Sequence, residues 1–96
     1  MTTYAVRYTY DERADVLARF RPEHRAWLAR QAERGALLGS GPFTEGEPGA
    51  LLVFRAADPQ ALADLLAQDP LSREGLVRST EVRVWDVILG PWSATV

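Results

Sequence analysis

The stretch Ala50-Leu51-Leu52-Val53-Phe54-Arg55-Ala56 decides the fold of this chain. Its apolar, strand-forming composition predicts a β-strand, in which successive side chains point to opposite faces of a sheet. Leu51 and Val53 share one face, and Leu52 and Phe54 share the other. Because both faces are apolar, we expect both to be buried and the sheet to be covered by two layers.

A helix follows this strand in the sequence. Asp58 is suited to be its N-cap and Pro59 its first residue, since a proline needs no hydrogen-bond acceptor at that position. We expect the helix to end at Asp69, because Pro70 disfavours the helical conformation in the residue before it. Its apolar stripe consists of Leu62, Leu65 and Leu66.

Residues 4–10 precede this strand in the sequence and predict a first strand, because strand-forming side chains alternate between its two sides. Residues 11–34 have helical spacing, and we expect Pro22 to divide them into a short turn and a longer helix, because proline breaks a helix interior. Gly35 is placed where a helix C-cap requires left-handed backbone. The residues on one side of the first strand are Tyr4, Val6, Tyr8 and Tyr10.

Two further strands complete the order of elements. Residues 36–43 predict a strand loosened by its glycines, residues 44–49 a turn, and residues 81–89 a last strand that Gly90 and Pro91 stop. The order strand, helix, strand, strand, helix, strand predicts a single α+β domain over residues 1–96. Its topology is the ferredoxin-like βαββαβ fold, an antiparallel sheet with two helices on one face. Two helices cover only one face, so we expect a homodimer in which a second copy covers the other.

Composition excludes several classes of function. The net charge is −2 and the basic residues are scattered singly, so we expect no nucleic-acid partner. No apolar run approaches the roughly 18 residues of a membrane span, and no leader is recognisable at the N-terminus, so a cytoplasmic protein is expected. All 11 basic residues are arginines, which excludes lysine Schiff-base chemistry, and the absence of cysteine excludes thiolate chemistry.

His24 is the single histidine and the leading candidate for function. It shares a helix face with Trp27, Leu28 and Gln31 at positions i, i+3, i+4 and i+7, so it points toward the core, where a titratable ring is unusual. One histidine without a cluster of carboxylates predicts no metal site.

Asp69 extends the apolar stripe of the second predicted helix and is expected to face the sheet at a helix C-terminus, where the helix dipole disfavours a negative charge. If the helices pack side by side, Asp69 meets His24. Two interpretations of such a contact stand: a buried hydrogen-bonded pair that fixes the packing of the helices, or an acid/base pair.

Two weaker candidates accompany this pair. Ser40 lies between Gly39 and Gly41, where small neighbours admit a ligand, although glycine in a strand is also typical of a bulge. Trp27 is adjacent to His24 on its helix and is a candidate for contact with a ligand, the alternative being an ordinary core residue.

Several segments resemble the YciI-like (YCII-related) family of dimeric α/β-barrel proteins. Arg21-Pro22-Glu23-His24, with Leu28 four residues later, is similar to the family's Arg-Pro-x-His pattern. The glycine-bounded strand at residues 35–42 and the Asp69-Pro70-Leu71 segment also resemble the family, although Leu71 replaces its usual aromatic residue.

The resemblance implies a dimeric barrel with His24 and Asp69 as its active-site pair. We therefore expect a cofactor-independent enzyme of lyase, isomerase or dehalogenase type acting on a small cyclic or aromatic molecule. His24 would act as general acid/base, Asp69 would orient it, and Arg21 would hold an acidic group of the substrate. The alternative is a non-catalytic homodimer that binds or senses a small ligand.

Overall fold

A computed structural model describes residues 1–93 and has the predicted ferredoxin-like architecture. The strands pair antiparallel in a four-stranded sheet of order β2-β3-β1-β4. The elements in chain order are β1 (Thr2–Tyr10), α1 (Ala14–Glu33), β2 (Leu37–Pro42), β3 (Gly49–Ala56), α2 (Pro59–Leu66), α3 (Pro70–Arg73) and β4 (Val77–Val84).

The core lies between the helices and the face of the sheet that the tyrosines share. Tyr4 and Val6 of β1 pair with Phe54 and Leu52 of β3, which places all four side chains on this helix-covered face. Each is at most 3% exposed, which confirms the alternation predicted for both strands. Burial of this apolar area is the main stabilising contribution to such a fold.

Helix α1 is continuous from Ala14 to Glu33, so the prediction that Pro22 interrupts it was wrong. Pro22 removes the hydrogen bond to the carbonyl of Ala18, but both residues are exposed and water can replace the lost donor. The helix ends as predicted, with Gly35 following it at φ 79°. His24 therefore lies in the middle of a long helix rather than near its start.

The second helical region is also divided differently from the prediction. Asp58 caps α2 by accepting a hydrogen bond from the Ala61 N–H at 2.8 Å, as expected. The helix then stops at Leu66, and Asp69 is the N-cap of the separate one-turn helix α3. The expectation that Asp69 ends a helix was wrong, because its carboxylate begins a new helical turn instead of facing the negative end of one.

Strand β4 spans residues 77–84 rather than the predicted 81–89. β4 pairs with β1, with Val84 opposite Tyr4 and Val77 opposite Tyr10. Because β1 ends at Tyr10, β4 begins at Val77. As an edge strand it is exposed over most of its length, and its first half is too polar to resemble a buried strand.

The second face of the sheet, opposite the helices, is covered in part by the chain's own C-terminal residues. Val53 points to this face and is only 2% exposed, whereas its neighbour Leu51 is 41% exposed, so the expectation that both faces of β3 are fully buried holds only in part. Val53 pairs with Gly39, and a Cβ atom placed on Gly39 would lie 2.8 Å from the Trp92 ring. Gly39 therefore permits Trp92 to pack directly against the backbone of β2.

No helix within residues 1–93 is both long enough and apolar enough to cross a membrane.

Candidate active site

Asp69 is the centre of a buried polar network. Its side chain is fully buried, and its Oδ1 accepts a hydrogen bond from the Leu71 N–H at 3.0 Å. This bond is the N-cap of α3, which explains why a carboxylate is stable at this place in the chain: the cap satisfies a backbone donor and the extended conformation of Asp69 turns the side chain inward.

His24 reaches the same carboxylate from helix α1. Its Nδ1 lies 2.8 Å from Asp69 Oδ1, although the two residues are 45 positions apart in the sequence. The imidazole is 6% exposed, which confirms that His24 faces inward. A carboxylate in its ionised form only accepts hydrogen bonds, so the proton in this contact belongs to Nδ1.

Tyr8 of β1 completes the network. Its hydroxyl donates a hydrogen bond to Asp69 Oδ2 at 2.9 Å, so that both carboxylate oxygens are engaged. Burial, reinforced by the negative charge of Asp69, raises the pKa of the Tyr8 phenol far above its ordinary value. Tyr8 is therefore a neutral donor throughout the physiological pH range.

A cavity of about 420 Å³ opens beside this network. One wall is the face of α1 that carries Arg21, His24 and Arg25, and the opposite wall is the backbone of β2 around Ser40. Tyr10, at the end of β1, also lines it. Its volume is in the range of small-molecule sites and accommodates one substituted six-membered ring.

The second nitrogen of the His24 ring, Nε2, is not engaged by another side chain or by the backbone within residues 1–93. Within residues 1–93, one side-chain nitrogen or oxygen is both fully buried and without a hydrogen-bond partner, and it is Trp27 Nε1. His24 Nε2 also has no partner in this part of the chain, so it is not fully buried and retains access to solvent. Since His24 lines the cavity and Nδ1 is engaged by Asp69, Nε2 is the ring nitrogen available to a molecule bound there.

Four of the five predicted site residues meet at or directly behind the cavity. Arg21, His24 and Ser40 line it, and Asp69 lies behind His24. Trp27 does not line it: the ring is 2% exposed and packs against Phe54 with centroids 5.9 Å apart. The core alternative therefore describes Trp27.

Three residues of the site were missed by the sequence reasoning, namely Tyr8, Tyr10 and Arg25. The alternation in β1 placed both tyrosines on one side of the strand, and a buried phenol normally finds a hydrogen-bond partner, so this signal was present but not used. Arg25 is four residues after Arg21 and therefore on the same side of α1, a spacing that also could have been recognised.

Leu71, which replaces the family's usual aromatic residue, is fully buried in the core and does not line the cavity. Among residues 1–93, no three histidine or acidic side chains lie close enough to hold a metal ion. The chemistry open to the described side chains is proton transfer at His24 Nε2, together with binding by the arginines and hydroxyl groups around it.

The family model of the YCII-related domain matches residues 1–86, nine-tenths of the chain's length and the whole of the network and cavity. The chain belongs to the YCII-related domain family. No curated protein matches this YCII-related chain.

Solved structures share the fold of the YCII-related chain at low sequence identity. One is 5-chloro-2-hydroxyhydroquinone dehydrochlorinase (TftG) from Burkholderia phenoliruptrix AC1100 in complex with 2,5-dihydroxybenzoquinone, with a TM-score of 0.76, 17% identity, and coverage of 86% of this chain and 92% of that one. Another is SnoaB, a cofactor-independent oxygenase from Streptomyces nogalater, with a TM-score of 0.53, 17% identity and coverage of 96% and 97%. A NIPSNAP family protein from Agrobacterium tumefaciens str. C58 has a TM-score of 0.54, 19% identity and coverage of 96% and 95%.

Proposed function

We propose that this protein is a cofactor-independent enzyme of lyase, isomerase or dehalogenase type that acts on a small cyclic or aromatic molecule. The observation that carries the proposal is the hydrogen bond between His24 Nδ1 and Asp69 Oδ1 at the wall of a ligand-sized cavity, with Nε2 left free. His24 is the general acid/base of this proposal, and Asp69 orients its ring.

In this proposal each nitrogen of the His24 ring has its own task. Because Asp69 accepts from Nδ1, the neutral ring carries its proton there and has its lone pair on Nε2. Nε2 accepts a proton from a substrate C–H or O–H group, and the imidazolium that forms is stabilised by the carboxylate behind it. Tyr8 holds the second carboxylate oxygen and limits its rotation.

Two types of reaction can follow the transfer of a substrate proton to Nε2. In an isomerisation, the electron pair of the broken C–H bond forms a new double bond, the adjacent double bond opens toward its far atom, and Nε2–H returns the proton to that atom. In an elimination, the same electron pair forms the double bond while a leaving group such as halide departs with the electrons of its own bond. Both need an acid/base group held at one position, which is what the buried pair provides.

A solved structure of the same fold supports this choice of substrate class as a precedent. TftG is a dehydrochlorinase of a chlorinated hydroxyhydroquinone, and its structure holds a dihydroxybenzoquinone. At 17% identity it supplies no residue-level correspondence, so the roles of Arg21, His24, Ser40 and Asp69 depend on their positions at this cavity.

We further propose that the protein acts as a cytoplasmic homodimer with the dimeric α/β-barrel arrangement. The support is the incompletely covered second face of the sheet, where Leu51, Trp85 and Trp92 are each at least 40% exposed. Apolar side chains exposed together on one face are typical of an interface.

A substrate screen tests the enzymatic proposal. Small aromatic acids, hydroxyquinols, their halogenated derivatives and lactones are incubated with the native protein, His24→Asn and the control variant Arg30→Gln, which changes an arginine of the same helix that does not line the cavity. We expect turnover by the native protein and the control, and its loss in His24→Asn. Turnover that survives in a folded His24→Asn protein would reject the role of His24. Binding without turnover by any of the proteins would instead support a binding or sensing function.

A further inference from the structure

The charges around the cavity are of one sign. Arg21 and Arg25 are the charged side chains that line it apart from His24, and no aspartate or glutamate is among its lining residues within the described part of the chain. The carboxylate of Asp69 lies behind His24, is fully buried and accepts hydrogen bonds from three donors. With a neutral imidazole, the two guanidinium groups and this one carboxylate leave an excess of one positive charge.

The two arginines flank the histidine on one helix face. Arg21 precedes His24 by three residues and Arg25 follows it by one, which places the two guanidinium groups four residues, about one turn, apart. Neither arginine forms an ion pair with an acidic side chain of residues 1–93, in contrast to Arg7, Arg13 and Arg78. Their donors are therefore available to a ligand.

Tyr10 adds a neutral donor to the cavity from the end of β1. The phenol is 6% exposed, lines the cavity, and makes no hydrogen bond through its hydroxyl within the described residues. Burial, followed by the charge of Asp69, raises its pKa to about 12, which keeps it protonated at neutral pH. A protonated phenol donates to an oxygen atom that carries or develops negative charge.

We infer that the cavity binds a small organic anion, whose acid group is held by Arg21 and Arg25 while Tyr10 donates a hydrogen bond to a second oxygen of the same molecule. This inference rests on the proposed function, because it concerns the same cavity. It narrows the class of substrate to ring compounds that carry one carboxylate or an equally acidic group. Guanidinium groups bind such groups through charge-assisted hydrogen bonds.

A matched pair of probes tests this inference by binding alone. The probes are 2,5-dihydroxybenzoate and its uncharged analogue 2,5-dihydroxybenzamide, titrated against the full chain while the ring protons of its single histidine are followed by NMR. We expect the benzoate to bind with a dissociation constant below about 1 mM and to shift the His24 signals, and the amide to bind at least about tenfold more weakly. Equal affinities, or no shift by the benzoate, would overturn the inference.

Variants test the binding roles of the two arginines and of the Tyr10 hydroxyl separately. Arg21→Gln and Arg25→Gln should each weaken the benzoate about tenfold and leave the amide unchanged, whereas Arg30→Gln should change neither. Tyr10→Phe should weaken both probes, because both keep the ring hydroxyls. If neither arginine variant changes the preference for the anion, the assignment of the charge-binding residues is wrong. Because the readout is binding, loss of turnover in His24→Asn tests the proposed function independently.

Discussion

The hydroxyl of Tyr8 and the carboxylate of Asp69 meet across 2.9 Å, although 61 residues separate them in the sequence. The bond joins the central strand β1 to the start of α3 and occupies the carboxylate oxygen that His24 does not use. A buried charge is tolerated when all its acceptor positions are satisfied, and Tyr8 supplies the bond that satisfies Oδ2.

Removal of this hydroxyl should destabilise the protein. Tyr8→Phe keeps the packing of the ring but leaves Asp69 Oδ2 without its donor, so we expect the free energy of unfolding to fall by about 1–3 kcal/mol in urea titrations. Tyr4→Phe is the matched control, because Tyr4 is equally buried on the same strand and its hydroxyl makes no hydrogen bond within residues 1–93. A similar loss in both variants would contradict the role given to Tyr8.

The tautomer of His24 should be fixed by Asp69. In the neutral ring we expect the proton on Nδ1, which the ¹⁵N chemical shifts of the two ring nitrogens report directly for the single histidine of the chain. Asp69→Leu, measured while folded, should lose this preference, because it removes the acceptor at 2.8 Å. A native ring protonated mainly on Nε2 would exclude Nε2 as the base.

Alkaline pH should unfold the protein through its buried tyrosines. The folded state binds the phenolic proton of Tyr10 more tightly than the unfolded chain, with a pKa raised from 10.0 to about 12. The contribution of Tyr10 to stability is therefore constant below pH 10 and is lost as the pH rises between these two values. The slope is about 1.4 kcal/mol per pH unit for each such tyrosine, and the raised pKa of Tyr8 adds a second contribution.

Denaturation at a series of pH values checks this expectation, and the chain suits the measurement because it has neither lysine nor cysteine to titrate in the same range. Tyr10→Phe should reduce the slope between pH 10 and 12 by about 1.4 kcal/mol per pH unit. An unchanged slope would show that Tyr10 has the same proton affinity in both states.

Any larger residue in place of Gly39 should lower the stability of the protein while Trp92 is present. The Cβ of Gly39→Ala would lie 2.8 Å from the indole, so we expect a loss of about 1–3 kcal/mol in unfolding free energy. Gly41→Ala is the control, since a Cβ there meets no atom within 4 Å. In a double-mutant cycle, Trp92→Ala should remove most of the cost at Gly39, and strict additivity would refute the contact.

Two substitutions on the second sheet face should separate folding from association. Val53→Asp places a charge at a position that is 2% exposed within one protomer and should prevent folding. Leu51→Asp changes a side chain that is 41% exposed, so it should leave a folded protein but reduce its mass in sedimentation from twice the protomer mass to one protomer. A native protein that sediments as a monomer would refute the proposed homodimer.

The sequence predicted the fold where one periodicity dominates. The alternation through Tyr4, Val6 and Tyr8 identified β1, and the spacing of His24 and Trp27 identified the inward face of α1. The helix boundaries predicted around Pro22 were wrong. A proline in a helix leaves one carbonyl group unpaired, and its cost depends on whether water can reach that group, which only the fold determines.

The candidate site was also predicted only in part, because local patterns identify single residues but not their contacts. His24 was found because a histidine on an apolar face is unusual, whereas its contact with Asp69 depends on how α1 packs against α3, and no local pattern specifies this. Asp69 was expected to end a helix because Pro70 follows it, yet a proline is equally suited to begin one. Tertiary packing decided between the two.

Gly39 has two neighbours on opposite sides, since its backbone lines the cavity while its second face contacts the indole of Trp92. At this point the wall between the ligand and the C-terminal segment is a single peptide backbone without a side chain. We therefore expect the indole of Trp92 to act as an optical reporter, because a molecule bound against β2 inside the cavity should change the surroundings of the ring without touching it. For the same reason, we expect a substitution of Trp92 to alter the shape of the cavity although Trp92 does not line it.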